Sequence, residues 1–257
     1  MHIIGIIPAR MASSRFPGKP LAKIHGIPMI GHVYYRSKMS SILSEVFIAT
    51  CDDEIMKYAE MIGAPAIMTL ASHERASDRT AEAMQKIERN YNKKIDIVVM
   101  IQGDEPMIDP SMIDDAIGPM QSDPEIQVVN LMSRLDTPEE HEDPNEVKVV
   151  VDQKSFALYF SREPIPSRKK GALQVPMLKQ VCIIPFRRDF LLQFNNMAPT
   201  PLEIIESVDM LRVLEHGDKV KMVMSDHRTY SVDTPDDLEY VKKCMKNDTL
   251  MSRYPRS

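Results

Sequence analysis

Arg10, Arg15 and Lys19 lie within one ten-residue stretch, interleaved with Ser13, Ser14 and Gly18. Cations mixed with small residues in a turn suit a triphosphate, because side-chain charge and backbone N–H groups both converge on the anion. The pattern is not the G-x-x-x-x-G-K-[ST] loop, since Ser13 stands at its first glycine and Pro20 follows Lys19. Taken alone, a solvated basic surface loop is the plainer account of these residues. A second candidate is Gln102-Gly103-Asp104-Glu105-Pro106. Its amide suits a base or ribose, its glycine lets the backbone approach closely, and the Asp104 carboxylate suits a hard cation bridging phosphates. A helix cap or turn is the ordinary use of such an aspartate. The third is Asp233, in Ser231-Val-Asp-Thr-Pro-Asp-Asp237, whose ordinary role is to cap a helix opened by Pro235 and favoured by Asp236 and Asp237. Taken alone, the cap is the plainer role for Asp233; were both aspartates on one cation, with loop cations for the phosphates, the chemistry would be phosphoryl transfer by positioning and charge neutralisation.

Groups this far apart in sequence work together only if a sheet carries them to one edge. Residues 2–8 form an Ile-rich run ending at proline, as a buried strand delivering the first loop does. A helical pattern over 28–39 and a strand over 46–50, closed by the acidic turn Cys51-Asp52-Asp53-Glu54, complete a βαβ unit. A helix over 55–62, a strand over 66–69, a helix over 78–90 and a strand over 95–101 continue the alternation. This predicts an α/β fold, a doubly wound and mostly parallel sheet with right-handed crossovers, whose ligand edge holds loops 10–19 and 102–106. After a helix over 111–120 the pattern changes. Residues 128–133, 147–152 and 157–161 read as extended and antiparallel, and 164–171 as an exposed loop. A strand over 181–186 precedes one amphipathic helix over 201–215 closed by Gly217. Strands over 220–224 and 230–233 lead to a C-terminal helix from 235. The expected organisation is a single domain over 1–257, in which 125–180 is an inserted mixed or antiparallel subdomain carrying dimer contacts.

Composition removes several classes. With Lys+Arg at 32 against Asp+Glu at 37 the net charge is −5, so no global basic field draws nucleic acid or an anionic membrane. An anionic substrate must then be held by local cations. Cys51, Cys182 and Cys244 are isolated, without zinc spacing or disulfide density, which fits a reducing cytoplasm. The apolar start is too short for a signal peptide, and nothing approaches the ~20 apolar residues of a membrane span, so a soluble protein is expected.

Taken in order, Pro8-Ala-Arg10, Ser14-Arg-Phe-Pro-Gly-Lys-Pro-Leu21, Gln102-Gly-Asp-Glu-Pro106, Pro144-Asn-Glu-Val-Lys-Val-Val150, Tyr159-Phe-Ser-Arg162, Pro201-Leu-Glu203, Leu211-Arg212 and Val232-Asp-Thr-Pro235 closely resemble the 3-deoxy-manno-octulosonate cytidylyltransferases. The match spans nearly the whole chain, and its order makes it specific. The resemblance implies a nucleotide-diphospho-sugar transferase type of fold, a homodimer, CTP and an acidic sugar as substrates, and Mg²⁺ as cofactor. By position, Arg10, Arg15 and Lys19 look like triphosphate and sugar-acid contacts, Gln102 like part of the cytidine and sugar pocket, and Asp104 and Asp233 like the metal ligands. Arg162 resembles the partner of the sugar carboxylate, and Glu203 and Glu206 fall near positions that bind sugar hydroxyls. For Arg162 a surface salt bridge is an equal reading, and for the two glutamates a solvated helix face is.

The departures fall on the sugar side. Where the family carries Gly-Thr-Glu-Arg, this chain has Ala76-Ser77-Asp78-Arg79, keeping the terminal Arg79 as a substrate-binding candidate. In LKQVCIIPF, Gln180 replaces a histidine and Ile184 a tyrosine, so a hydrogen-bonding group stays while a titratable one and a hydroxyl are lost. The expected reaction is transfer of CMP from CTP to a 3-deoxy-2-ulosonic acid. Alternatives are another acidic sugar or a phosphorylated acceptor, or a nucleotide-binding regulator without catalysis. The retained Asp104 and Asp233 argue against the regulator, and no G-x-G-x-x-G follows the first strand to suggest a dehydrogenase.

Overall fold

An apolar run with no polar alternation needs cover on both faces, and the strands of the first half obtain it. The computed structural model describes residues 1–13, 15–171 and 174–255, so Ser14 of the first loop lies outside the described residues. Strands β1 (Ile3–Ala9), β2 (Lys23–Ile24), β3 (Ile27–Pro28), β4 (Glu45–Thr50), β5 (Ala66–Met68) and β6 (Ile97–Ile101) alternate with helices α1 (Met29–Ser37), α2 (Asp53–Met61) and α3 (Ala76–Tyr91), and α4 (Pro110–Ser122) follows. β1 pairs in parallel with β4, from Ile4 against Glu45 to Ala9 against Thr50, and with β6, from Ile3 against Ile97 to Ile6 against Met100. β5 joins β4 on its far side, also in parallel. Because these strands run the same way, the loops after Ala9, Thr50 and Ile101 leave from one edge.

The chain next builds β7 (Val129–Arg134), α5 (Pro138–Glu142), β8 (Lys148–Val151), β9 (Ala157–Ser161), β10 (Leu178–Val181), β11 (Ile183–Arg187), α6 (Arg188–Asn196), α7 (Pro201–Glu206), α8 (Met210–Glu215) and β12 (Lys221–Met224). Five of these strands form one sheet in the order β12-β7-β10-β8-β9. Its β12–β7 pair is parallel, while β7–β10, β10–β8 and β8–β9 are antiparallel. The last helix is α9 (Pro235–Cys244). The chain divides into two compact units, Met1–Asp114 with Arg228–Ser257 and Asp115–His227. In the first unit, Val232, Leu238 and Val241 pack with Ile24, Met29 and Met245 in one buried cluster, which ties the start of α9 to the β2–β3 hairpin.

The α/β class expected from sequence holds, with a parallel sheet in one unit and a mixed sheet in the other. Several elements differ from expectation. The helix read over 201–215 is two, because Ser207 takes a left-handed φ of 53° and ends α7. Burial reverses the pattern that suggests one helix: Glu203 is buried, while Ile204 and Ile205 are exposed. The strand read over 181–186 is β10 and β11 separated at Cys182, and α6 after it has no counterpart in the expected pattern. Residues 230–233 form no strand, although the Val232 N–H donates to the Asp104 carbonyl at 2.9 Å.

Candidate active site

The end of β1 gives Arg10, and the loop beyond it closes on itself when the Gly18 N–H donates to the Met11 carbonyl at 3.0 Å. Gly18 sits at φ 75°, a left-handed position that glycine takes without Cβ strain, and the turn it makes starts the short helical segment Lys19–Leu21. The loop is anchored from β4's end as well. The Met11 N–H donates to Asp52 Oδ2 at 2.7 Å, a tether that the sequence, where Asp52 is one member of an acidic turn, does not announce. At the end of β6, a Cβ on Gly103 would lie 3.3 Å from the Pro8 carbonyl oxygen, so this glycine lets the Asp104 loop settle against β1.

These devices bring three of the expected residues to Asp233. Lys19 Nζ lies 2.8 Å from Asp104 Oδ2 and 3.1 Å from Asp233 Oδ1, and Arg15 Nη2 lies 3.1 Å from that same Asp233 oxygen. Asp233 is not the cap of α9. Thr234 fills that role, its hydroxyl accepting from the Asp237 N–H at 3.2 Å, while Asp237 Oδ2 accepts from the backbone of Asp233 and Thr234. The Asp233 carboxylate is thereby left for the cations. Burial works against the Lys19 ammonium, yet the charges and hydrogen bonds of Asp104 and then Asp233 outweigh it and hold its pKa above the ordinary lysine value. Arg10 is exposed, and Gln102 is half-buried, its side chain making no hydrogen bond among the described residues. Arg79 is buried and turned to its own loop: it bonds the Thr69 hydroxyl and reaches the Leu70 and His73 carbonyls at 3.4 Å each.

Among the described residues no group of three His, Cys, Asp or Glu side chains is placed to hold a metal ion. Two hard carboxylates converging on one ammonium are nonetheless the donor set that Mg²⁺ prefers, one or two carboxylates completed by substrate phosphates and water. Asp104 and Asp233 fit that description.

The remaining candidates lie in the second unit. Glu206 pins α7 to β9: its carboxylate accepts from the Ser161 hydroxyl at 2.8 Å, the Tyr159 hydroxyl at 3.3 Å and the Arg162 N–H at 2.7 Å. Arg162 donates from Nε to the Glu206 carbonyl at 2.7 Å, from Nη1 to the Pro144 carbonyl at 2.8 Å and from Nη2 to the Ser207 carbonyl at 3.4 Å. Glu203 has both oxygens on Arg212, at 2.6 and 2.8 Å, so the solvated helix face considered for it is overturned; Arg212 is buried and stacks 4.6 Å from the Phe194 ring centre. Gln180 donates to the buried Asn130 amide oxygen at 2.6 Å, and Ile184 belongs to the core. Sequence reasoning assigns no role to Lys148 or Lys179. Directly opposite each other across β8 and β10, they hold the turn that Arg162 also holds: Lys148 Nζ donates to the Asp143 carbonyl at 2.7 Å and Lys179 Nζ to Glu146 at 3.0 Å. Burial pushes the Lys148 pKa down. The Pro144-to-Val150 motif is the available signal for this cluster.

A family model described as cytidylyltransferase matches residues 4–222. The chain is 43% identical over 257 residues to the 3-deoxy-manno-octulosonate cytidylyltransferase of Geotalea daltonii, covering 96% of this chain and 99% of that one. It is 42% identical over 251 residues to the mitochondrial 3-deoxy-manno-octulosonate cytidylyltransferase of Arabidopsis thaliana, covering 97% of this chain and 85% of that one. Among solved structures, a CMP:2-keto-3-deoxy-manno-octonic acid synthetase complexed with CTP superposes with a TM-score of 0.89 at 37% identity, covering 96% of this chain and 100% of that chain. A Bacillus anthracis protein described as a glucose-1-phosphate thymidylyltransferase, at TM-score 0.68 and 15% identity, covers 95% of this chain and 96% of its own, and shares the fold.

Proposed function

The chain belongs to the 3-deoxy-manno-octulosonate cytidylyltransferases, and from that premise we propose that it transfers CMP from CTP to the anomeric hydroxyl of 3-deoxy-manno-octulosonate, releasing pyrophosphate. It is a CTP-dependent nucleotidyltransferase. The observation that carries the reading is the meeting of Asp104, from the end of β6, and Asp233, from the return of the chain, on the cations of the first loop.

In the transfer, the anomeric oxygen bonds to the α-phosphorus as the bond from that phosphorus to the β-phosphate bridging oxygen breaks, and the hydroxyl proton passes to solvent. No covalent link to the protein forms. Asp104 and Asp233 would hold a divalent cation, which we take as Mg²⁺; when bound it neutralises phosphate charge and acidifies the attacking hydroxyl. Lys19 and Arg15 would take up charge accumulating on the departing pyrophosphate. Arg10, exposed on the same loop, extends that field, and Gln102 offers its amide to the cytidine or the sugar. Asp52 keeps the loop in place through Met11. In the second unit, Arg162, Glu206, Gln180 and the Glu203–Arg212 pair shape the acceptor side, and in the first Arg79 supports loop 69–73. Each terminal nitrogen of Arg162 carries a second N–H beyond its carbonyl bond, which suits a carboxylate. Residues 125–180 carry the contacts of a homodimer. Three cysteines that form no disulfide suit a reducing cytoplasm, where the product would feed lipopolysaccharide biosynthesis.

Pyrophosphate release from CTP, measured with a panel of acidic sugars and phosphorylated acceptors, tests the reading. The expected result is turnover with 3-deoxy-manno-octulosonate at least tenfold above every other acceptor. A faster rate with a phosphorylated acceptor, or none with the sugar acid, would overturn it.

A further inference from the structure

Lys19 stands where the divalent ion would stand. We infer that its ammonium is a tethered placeholder for that ion, so that the protein takes the ion only together with a nucleotide. The inference rests on the reading that Asp104 and Asp233 are the ion's ligands, and it adds a rule for the order in which the site fills.

The first support is contact. One ammonium nitrogen is within 3.1 Å of both carboxylates, and Arg15 adds a second cation on the same Asp233 oxygen. Two positive side chains thus already answer two negative ones. The second support is that the cradle does not depend on Lys19. The Val232 N–H fixes the backbone beside Asp233 to the Asp104 carbonyl at 2.9 Å. Val232 itself is locked in the cluster with Ile24, Met29 and Leu238, and Asp237 holds the Asp233 N–H at 3.0 Å. The carboxylates therefore stay together when the lysine leaves. The third is that, among the described residues, Lys19 Nζ bonds these two aspartates alone, so its flexible stem can swing once another anion is offered.

A bare divalent ion arriving at this cradle has to break a formed ion pair. The displaced ammonium, its side chain only 12% exposed, then stands beside a dication with no new partner, and that repulsion opposes binding. A triphosphate changes the balance, because its oxygens receive Lys19 and Arg15 as the ion takes their place. Ion and nucleotide affinities are coupled as a result, and linkage requires each to raise the other by the same factor.

The test is Mn²⁺ binding, followed by the paramagnetic signal of the free ion, to the full chain with and without a CTP analogue whose α–β bridge resists cleavage. Wild type is expected to bind Mn²⁺ weakly alone and strongly with the analogue. Lys19→Met is expected to bind Mn²⁺ without nucleotide at least tenfold more tightly than wild type, and adding Asp233→Asn is expected to remove that gain. Lys19→Gln, which keeps a polar group between the carboxylates, should move the same way and guards against misfolding of the methionine variant. Nucleotide-free affinities within twofold of wild type in both variants would overturn the placeholder. If Asp104→Asn and Asp233→Asn leave Mn²⁺ affinity unchanged with the analogue bound, the assignment of the ligands fails, and the placeholder with it.

Discussion

Asp233 and Glu203 are both acidic residues at the mouth of a helix, and their neighbours turn them to opposite uses. Asp233 is relieved of capping by Thr234 and Asp237 and keeps its carboxylate for Lys19 and Arg15. Glu203 is enclosed with Arg212 and has both oxygens engaged. The first was legible as a candidate ligand only through the family resemblance, because the Thr-Pro-Asp-Asp run after it reads, by itself, as a helix that Asp233 would cap. The second was not, because pairing across nine residues depends on the helix break at Ser207, and no glycine or proline marks that break. Removing Glu203 leaves a buried guanidinium uncompensated, so Glu203→Ala should cost about 3–5 kcal/mol in chemical denaturation, and Glu203→Ala with Arg212→Met should recover much of the loss. A loss under about 1 kcal/mol for the single change would show that the pair is solvated. His32 makes a different claim. It is fully buried, bonded to the Ile24 carbonyl at 2.9 Å and the Tyr254 hydroxyl at 3.2 Å. Burial, foremost, lowers its pKa from 6.5 to about 4, against the pull of the Ile24 bond. The unfolded chain therefore takes up this proton first. The stability is whole above pH 6.5 and lost as pH falls toward 4, by on the order of 3 kcal/mol. Denaturation midpoints across that range should fall for wild type and fall less steeply for His32→Gln.

Elements were legible where burial is uniform. β1, β4 and β6 are continuous apolar runs, and the structure covers both faces of each. They were illegible where a segment depends on a partner distant in sequence. Residues 230–233 are apolar and aromatic enough to read as a strand, but Val232 has a single backbone bond to Asp104 where a ladder would be needed. α6 is hard to see in the sequence although Phe190, Leu191 and Phe194 are buried at helical spacing. No glycine or proline separates it from β11, which ends at Arg187, and the nearby Pro185 lies within the strand itself. Packing between α1 and α2 gives this scale its prediction. A Cβ placed on Gly31 would fall 2.1 Å from the Tyr58 hydroxyl, and Tyr58 is itself buried. Gly31→Ala must displace that ring and should cost about 1–3 kcal/mol by thermal or chemical unfolding. A variant as stable as wild type would mean that the two helices pack more loosely than described.

For the molecule as a whole, a chain of net charge −5 concentrates cations locally, Arg15 and Lys19 on Asp104 and Asp233 in the first unit, Arg162, Lys148 and Lys179 around the 143–146 turn in the second. The α/β class and the order of its motifs were legible because strand and helix periods alternate from the first residues. The cluster of Arg162, Lys148 and Lys179 was less so, since its groups meet through the register of the second sheet, where Lys148 faces Lys179. The proposed homodimer should sediment at twice the chain mass of 29.3 kDa, and a monomer at micromolar concentration would remove that part of the proposal. The most direct measurement is single-turnover formation of the CMP-linked sugar from CTP and 3-deoxy-manno-octulosonate in excess Mg²⁺, with wild type, Asp104→Asn and Asp233→Asn compared after each is shown to melt as wild type does. The expected result is a fall of at least about a hundredfold in either variant, because each removes one of the two carboxylates proposed to hold the ion. Rates within tenfold of wild type in both would contradict the account.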